Sequence, residues 1–209
     1  FPKDVCVHIA TPIGGRITAG YFRSYRELQK PSHAPNATVH GHCMMHDVVS
    51  LHTEVARRML TRTALNVPAP YAATHVLFID DDMVFPPHAL TRLLSHGVPV
   101  VGGLCHNRRE PYQPILARRH DPRWGLGEGV HGWVYDYPPD QLFQVDATGA
   151  AFLLIERQVF DAISARFPAD PDCWWDSWRE ATEDFSFCMR ARECGFKILV
   201  DTGLEIGHV

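Results

Sequence analysis

Three features that would assign a chain to a functional class are missing from these 209 residues. No apolar run approaches the roughly 20 residues that span a bilayer, and the opening FPKDVCVHIA favours a strand over a signal peptide. The six cysteines include no CxxC pair, and a chain of this size needs no disulfide framework. The formal charge of -4 argues against a strongly cationic surface for binding a polyanion. We therefore expect a soluble, cytoplasmic protein with reduced thiols.

The chain does carry short apolar runs that alternate with helical segments. Its length fits one domain, and a hydrophobic content of 45% is typical of a globular protein. Strands are predicted at 4–10, 75–79, 98–101, 149–155 and 196–200, and helices at 17–28, 47–65, 86–97, 156–167 and 183–194. The helix at 47–65 is expected to bury Val48, Leu51, Val55 and Met59. This alternation predicts a three-layer α/β domain with a mostly parallel sheet.

An acidic run, Asp80, Asp81 and Asp82, follows the apolar segment HVLFI at 75–79. Ligands of an open α/β sheet collect at the carboxyl ends of its strands, which is where this run is expected. Alternate residues of an extended chain point the same way, so Asp80 and Asp82 can face one ion while Asp81 points elsewhere. Two converging carboxylates favour a hard cation such as Mg²⁺ or Mn²⁺. A solvated acidic turn before a helix is the alternative.

The segment THVLFIDDDM at 74–83, followed by Pro86-Pro87 and Gly102-Gly103, resembles the Asp-x-Asp region of GT-A glycosyltransferases, especially small family 2-like enzymes of bacteria and phages. Three later segments resemble the family's acceptor-side glycine segment, its Glu-Asp helix start and its closing strand with a metal-binding histidine: 146–150, 182–188 and 201–208. The resemblance implies a Rossmann-like α/β/α sandwich that forms a single domain over 1–209. Residues 1–105 would bind the nucleotide-sugar, and residues 106–209 would bind the acceptor and carry out catalysis.

The resemblance implies a separate role for each aspartate of the acidic run. Asp80 would contact the donor ribose or a metal-bound water and is a candidate metal ligand, whereas Asp82 would bind the metal directly. Asp81 is assigned to the donor-binding loop, which it would support. His208 would be a further ligand, with an ordinary histidine in a frayed chain end as the alternative. Carboxylate and imidazole ligands together shift the preference from Mg²⁺ towards Mn²⁺.

Further candidate donor contacts come from three other segments. Thr11 and Pro12, after the first strand, resemble the family's nucleotide-base pocket, with an ordinary turn as the alternative. Arg57 or Arg58 could reach the donor, as an arginine of the corresponding helix does in some relatives, but a solvated helix face competes with that role. Gly149 would let the backbone approach the sugar closely, or would relieve strain at the start of a strand.

Two acids at the start of the helix at 183–194 are the candidate catalytic residues. An acceptor hydroxyl must lose a proton, and Asp184, or else Glu183, could serve as the general base. Thr182 is a natural N-cap for this helix, and acids are common in a first helical turn, so a purely structural role is the alternative.

Aromatic and basic side chains in the second half are candidates for the acceptor site. Residues 106–145 have weak periodicity and are expected to form long loops and irregular strands that present side chains to a ligand. His106, Asn107, Arg108 and Arg109 could line the acceptor cleft or form an exposed basic turn. Trp174, Trp175 and Trp178 could form a stacking platform or belong to the core.

These features predict a glycosyltransferase that uses Mn²⁺ or Mg²⁺ and a nucleotide-sugar, with UDP-sugar preferred, in a bacterial or phage-infected cell. A hydroxylated base in phage DNA and a glycan are the candidate acceptors. One alternative is a sugar nucleotidyltransferase, although TPIGGR at 11–16 is a poor match to its glycine-rich loop. The other is a zinc-stabilised nucleic-acid-binding module, because His40, His42, Cys43 and His46 cluster, with a spacing that fits no standard finger.

Overall fold

A computed structural model describes residues 5–29, 38–45, 53–119 and 131–209, with the backbone alone described for 42–45 and 131. The helices are α1 (Ala19–Glu27), α2 (Thr53–Leu65), α3 (Ala89–Ser95), α4 (Arg157–Arg166) and α5 (Glu183–Glu193). The strands are β1 (Cys6–Ile13), β2 (Thr38–Met45), β3 (His75–Ile79), β4 (Met83–Val84), β5 (Val100–Cys105), β6 (Leu116–Arg119), β7 (His131–Trp133), β8 (Leu142–Val145), β9 (Ala147–Thr148), β10 (Phe152–Glu156) and β11 (Ile198–His208). No helix of these described ranges is long and apolar enough to cross a membrane.

Five strands of the main sheet run in the same direction. β1 lies between β2 and β3 and is parallel to both, and β5 is parallel to β11. β10 joins these two groups as an antiparallel strand between β3 and β5. The order across the sheet is β2-β1-β3-β10-β5-β11-β4, with β8 also paired to β11, and a small separate sheet has the order β7-β6-β9. The predicted α/β class with a mostly parallel sheet is therefore confirmed.

Apolar side chains cover both faces of the main sheet. On one face Phe78 of β3 packs in a cluster that includes Leu60 of α2 and Phe160 of α4. On the other face Leu77 belongs to a second cluster, together with Leu90 of α3. A central strand that is buried on both faces reads in sequence as one continuous apolar run, which explains the pattern HVLFI.

The helix α2 buries a different face from the predicted one. Met59 is 41% exposed, whereas Arg57 is 3% exposed. The residues that α2 buries are Ala56, Arg57, Leu60, Thr61 and Ala64. Two alanines on this face allow close approach to the sheet, and Arg57 is accommodated because it is paired with acids, as described below. Val48 and Leu51 of the predicted stripe lie outside the described residues.

Other differences from the predicted elements follow from local sequence. β2 was not predicted, because its sequence TVHGHCMM at 38–45, preceded by prolines, lacks the alternation of a half-buried strand. β11 continues to His208 past Gly203 and Gly207, beyond the predicted end at 200. His40 lies on β2, while the side chains of His42 and Cys43 and the whole of His46 lie outside the described part of the chain.

Candidate active site at the carboxyl end of the sheet

The acidic run forms a tight turn between β3 and β4. The amide of Met83 donates a hydrogen bond to the carbonyl of Asp80 (3.2 Å), which closes the turn. Thr18 fixes the turn by donating to the carbonyl of Asp81 from its amide and its hydroxyl, at 3.1 and 3.2 Å. The Asp81 carboxylate accepts from the amide of Gly14 (2.8 Å). Asp81 therefore ties the loop after β1 to the loop after β3, as expected of a loop-supporting residue.

Asp82 is the most enclosed carboxylate of the run, at 8% exposed. Its Oδ2 forms an ion pair with the mostly exposed Arg108. Its Oδ1 is buried and has no hydrogen-bond partner among the described residues. A buried carboxylate oxygen without a donor is costly unless a ligand satisfies it, so Asp82 retains the capacity to bind a cation.

Arg57 links the acidic run to the start of α5. Its Nη2 donates to both oxygens of Asp80, at 2.9 and 3.3 Å, and its Nη1 donates to Oε1 of Glu183 at 2.6 Å. Its guanidinium also lies 5.6 Å from the centre of the Trp175 ring. The solvated helix face is wrong for this residue. Removing one partner of a buried ion pair is strongly destabilising, so Arg57 holds two acids from distant elements in fixed positions.

The charges around Arg57 shift the protonation equilibria of this network. Burial by itself lowers the pKa of Arg57, but Asp80, Glu183 and Asp184 outweigh it and raise that pKa. Burial raises the pKa of Glu183 despite the opposing effect of Arg57. The neighbouring Arg58, partly exposed, pairs instead with Asp176 at 3.0 Å.

The pairing of β11 with β4 carries His208 to the acidic run. His208 lies opposite Met83 in this antiparallel ladder, and the amide of Val209 donates to the carbonyl of Asp82 at 3.0 Å. Burial lowers the pKa of His208, and Arg108 also lowers it, while Asp82 acts in the opposite direction. The neutral imidazole is the form that binds metal ions.

The donor set at this turn fits a divalent cation in part. Asp82 offers a buried, unsatisfied oxygen and His208 a neutral imidazole nitrogen, which suit Mn²⁺ and tolerate Mg²⁺. Asp80 is turned towards Arg57, and the ligand atoms of Asp80, Asp82 and His208 are not all within 4.8 Å of one another. Asp82 and His208 are therefore the residues that would hold a metal. The Asp80 carboxylate points towards Arg57 instead of towards that metal position.

Asp184 lines a cleft of about 450 Å³, together with Thr182 and Phe185. Its Oδ1 accepts hydrogen bonds from the Phe185 amide (2.8 Å) and the Thr182 hydroxyl. A Cβ added to Gly149 would lie 3.6 Å from Oδ2 of Asp184, so this glycine leaves room beside the carboxylate. The two acids of the helix start are thus separated: Glu183 points to Arg57 and Asp184 to the cleft.

The aromatic lining of this cleft differs from the predicted one. Trp174 and Trp175 are buried in the core, so they cannot stack on a ligand. The cleft is instead lined by Trp133, about half of which is exposed, and Phe185, with ring centres 5.9 Å apart. Trp133 was missed because it is an isolated aromatic in a segment without periodicity, and only its place in that loop-rich segment could have indicated it.

The remaining predicted residues lie around these clefts. The Thr11 hydroxyl is 2.7 Å from the hydroxyl of Tyr21, and Thr11 and Pro12 are both buried on β1. Asn107 lines the larger cleft. His106, Asn107 and Arg108 line a second cleft of about 370 Å³, together with His208.

Comparison with known proteins finds similarity in structure alone. No family model and no curated protein sequence matches the chain. The structure is similar to A197 from STIV, with 14% identity, a TM-score of 0.58, and coverage of 98% of this chain and 86% of that one. It is also similar to residues 1–349 of S. aureus TarS, with 12% identity, a TM-score of 0.50, and coverage of 96% of this chain and 59% of that one. These similarities support a glycosyltransferase fold of the GT-A type.

Proposed function

We propose that the chain is a metal-dependent glycosyltransferase that transfers a sugar from a nucleotide-sugar, with UDP-sugar as the preferred donor, to an acceptor hydroxyl. The observation that carries this proposal is Asp82, whose buried Oδ1 lacks a partner in the described structure at the carboxyl end of β3. In an α/β sheet this is the place where ligands bind. The glycosyltransferase fold supports the same assignment.

Asp82 and His208 would hold the cation. A bound Mn²⁺ or Mg²⁺ would stabilise the negative charge that develops on the departing nucleoside diphosphate. Asp80 would contact the donor ribose or a metal-bound water, and Arg57 fixes the direction of its carboxylate through two hydrogen bonds. Asp81 and Gly14 would hold the two loops that flank the donor.

Asp184 would accept the proton of the acceptor hydroxyl. Its Oδ1 is engaged by Phe185 and Thr182, while Oδ2 lies beside Gly149 at the cleft. As the hydroxyl oxygen bonds to the anomeric carbon, the bond from that carbon to the diphosphate breaks, and the hydroxyl proton passes to Oδ2. Glu183 is a weaker candidate for the base because Arg57 occupies its carboxylate.

The aromatic lining of the larger cleft favours an acceptor that carries its hydroxyl on or next to a ring. Trp133 and Phe185 line this cleft, and aromatic side chains stack against sugar rings and nucleobases alike. A glycan and a hydroxylated base in DNA both have this chemistry.

The direct test is the release of nucleoside diphosphate from a panel of UDP- and GDP-sugars. Each donor is incubated with the protein and Mn²⁺, Mg²⁺ or a chelator, with and without a glycan acceptor and DNA containing hydroxymethylated cytosine. We expect metal-dependent release from at least one donor, stimulated by one acceptor class. If no donor binds or is hydrolysed under any of these conditions, the proposal is wrong.

The same assay separates the nucleotidyltransferase alternative. An enzyme of that class would release pyrophosphate from a nucleoside triphosphate and a sugar 1-phosphate, and a glycosyltransferase would not. Pyrophosphate release without any donor hydrolysis would therefore replace the proposed function with that alternative.

A further inference from the structure

We propose that Cys6, His8 and His40 form a zinc-binding site, separate from the acidic run. Within the described chain, these three residues are the group of potential ligands whose ligand atoms all lie within 4.8 Å of one another. Nothing in the glycosyltransferase proposal uses them, so this inference is independent of it.

The backbone places the three side chains on one face of the sheet. Cys6 and His8 are two residues apart on β1 and therefore point the same way. His40 of β2 is the direct neighbour of His8 in the parallel ladder. The convergence follows from strand register, so it does not depend on the conformation of a loop.

The spacing between Cys6 and His8 matches the dimensions of a tetrahedral zinc site. The Sγ of Cys6 lies 3.5 Å from Nε2 of His8. Zinc bonds of about 2.3 Å to sulfur and about 2.0 Å to nitrogen, at a tetrahedral angle, put the two ligand atoms about 3.5 Å apart. One thiolate and two imidazoles are softer than carboxylates, and this ligand set selects zinc over Mg²⁺ or Mn²⁺.

An unsatisfied atom points to a missing ligand. The Nε2 of His40 is buried without a hydrogen-bond partner in the described ranges. Its ring is packed between His8, at 5.0 Å between ring centres, and Tyr71, at 5.3 Å. Burying an imidazole nitrogen without a partner is unfavourable, and a bound ion would satisfy it.

The carbonyl of Tyr71 lies next to the ligand atoms of Cys6 and His8. It accepts hydrogen bonds from Nε2 of His8 (2.9 Å) and from the thiol of Cys6 (3.4 Å). On zinc binding the Cys6 thiol would release its proton to solvent, and the ring proton of His8 would shift from Nε2 to Nδ1 through solvent exchange, so that Nε2 can bind the ion instead of donating to Tyr71. An oxygen ligand, either this carbonyl or a water, would complete the four-coordinate site.

The location indicates a structural role. His8 and Cys6 precede Thr11, a candidate donor contact on β1, by three and five residues, so they lie roughly 10 and 17 Å from it. β2 is the last strand on its side of the sheet as described. A zinc ion would cross-link this edge strand to β1 and to the segment that carries Tyr71.

The test uses Co²⁺ as a spectroscopic substitute for zinc in the metal-free full chain under reducing conditions. We expect a thiolate-to-cobalt charge-transfer band that zinc abolishes by displacement, and a rise in Tm on adding zinc. Cys6→Ser should remove the band, and His40→Gln should weaken Co²⁺ binding at least tenfold. Cys194→Ser is the matched control and should keep the band, because Cys194 belongs to no group of three potential ligands among the described residues.

A further variant, Asp82→Asn, should leave the band unchanged, because the carboxylates of the acidic run cannot produce it. The wild-type spectrum needs no variant to fold, so absence of the band in the wild type overturns the proposal outright. A band that persists in Cys6→Ser, or that is lost equally in Cys194→Ser, overturns it as well. These outcomes do not depend on any glycosyltransferase activity.

Discussion

Two buried carboxylates paired with arginine, Asp201 and Asp82, differ in whether their hydrogen-bonding capacity is filled. Asp201, 1% exposed, accepts from Arg92 at 2.6 and 2.7 Å, from His96 at 2.8 Å and from the Gly203 amide at 3.0 Å, so both of its oxygens are satisfied. Asp82 has an ion pair on one oxygen and none on the other among the residues described. A buried carboxylate with both oxygens hydrogen-bonded indicates a structural role. A buried carboxylate with one oxygen left without a partner indicates a ligand site.

The arginine partners show the same contrast. Arg92 belongs to α3 and donates hydrogen bonds to Asp201 from two nitrogens, which fixes both side chains. Arg108 follows β5 in an irregular segment and is mostly exposed, so it can leave Asp82 without disturbing the core. The contrast predicts that loss of Asp82 harms activity, whereas loss of Asp201 harms stability.

The largest expected effect is that of Asp82→Asn. Asparagine keeps the shape but removes the charge that would hold the cation, so metal-dependent turnover should fall by about 10³-fold or more. The free energy of unfolding should change by less than about 1 kcal/mol, because one oxygen is already unpaired. Donor hydrolysis and urea denaturation measure the two quantities, with the exposed Asp170→Asn as control. Full turnover in Asp82→Asn would remove this residue from the metal site.

Asp184→Asn should lower kcat by about 10²- to 10⁴-fold, because the proton acceptor is lost. Donor binding, measured by titration calorimetry, should remain within about threefold of wild type, since Asp184 faces the cleft proposed for the acceptor. The matched variant Glu183→Gln should instead lower stability, because it breaks the pair with Arg57. If Glu183→Gln alone abolishes kcat, the two acids have exchanged roles.

Asp201→Asn should have the opposite profile to Asp82→Asn. Removing the charge from a saturated buried network should cost about 3 kcal/mol of unfolding free energy. The kcat of the folded fraction should be unchanged, because Asp201 lies away from the acidic run. Equilibrium unfolding in urea and donor hydrolysis at low temperature test the two halves of this prediction. Lost activity with intact stability would contradict the structural role.

The pH dependence of the unfolding free energy should also show that Asp201 stabilises the fold. Burial alone would raise the pKa of Asp201, but hydrogen bonds from Arg92, His96 and Gly203 outweigh it and lower the pKa to about 2, from an ordinary value of 3.8. Since the folded pKa is below the unfolded one, this stabilisation is complete above about pH 4 and is lost as the pH falls through about 2.

Between about pH 5 and pH 2, the wild type should therefore lose about 2 kcal/mol more unfolding free energy than Asp201→Asn. Urea denaturation at a series of pH values measures the difference between the two proteins, so acids common to both cancel. Parallel curves for the two proteins would show that Asp201 is not held by these hydrogen bonds.

The sequence predicted those features that depend on the residues of a single strand or helix. The run HVLFI at 75–79 predicted β3, because burial on both faces leaves a continuous apolar segment. The acids after it could be placed at a strand end for the same reason. Asp184 and Glu183 were likewise assigned to a helix start, which the structure confirms as the start of α5.

The sequence did not predict contacts between residues that are far apart along the chain. Arg57 looked like a residue of a solvated face because its acids lie 23 and 126 residues away. The convergence of His40 with Cys6 and His8 depends on the register of β1 and β2, which spacing within one segment cannot show. The roles of Arg108 and Trp133 depend on irregular backbone, for which no periodic pattern exists.

The pairing of β11 with β4 has a consequence for when the candidate site is assembled during folding. His208 reaches the acidic run only when the last strand docks beside β4, and Glu183 reaches Arg57 only after a loop of 126 residues has closed. Contacts of such long range form late, because the entropy of loop closure must be overcome first. Collapsed intermediates with a formed β3 would therefore lack the assembled site, and metal-dependent donor binding during refolding would report the final step.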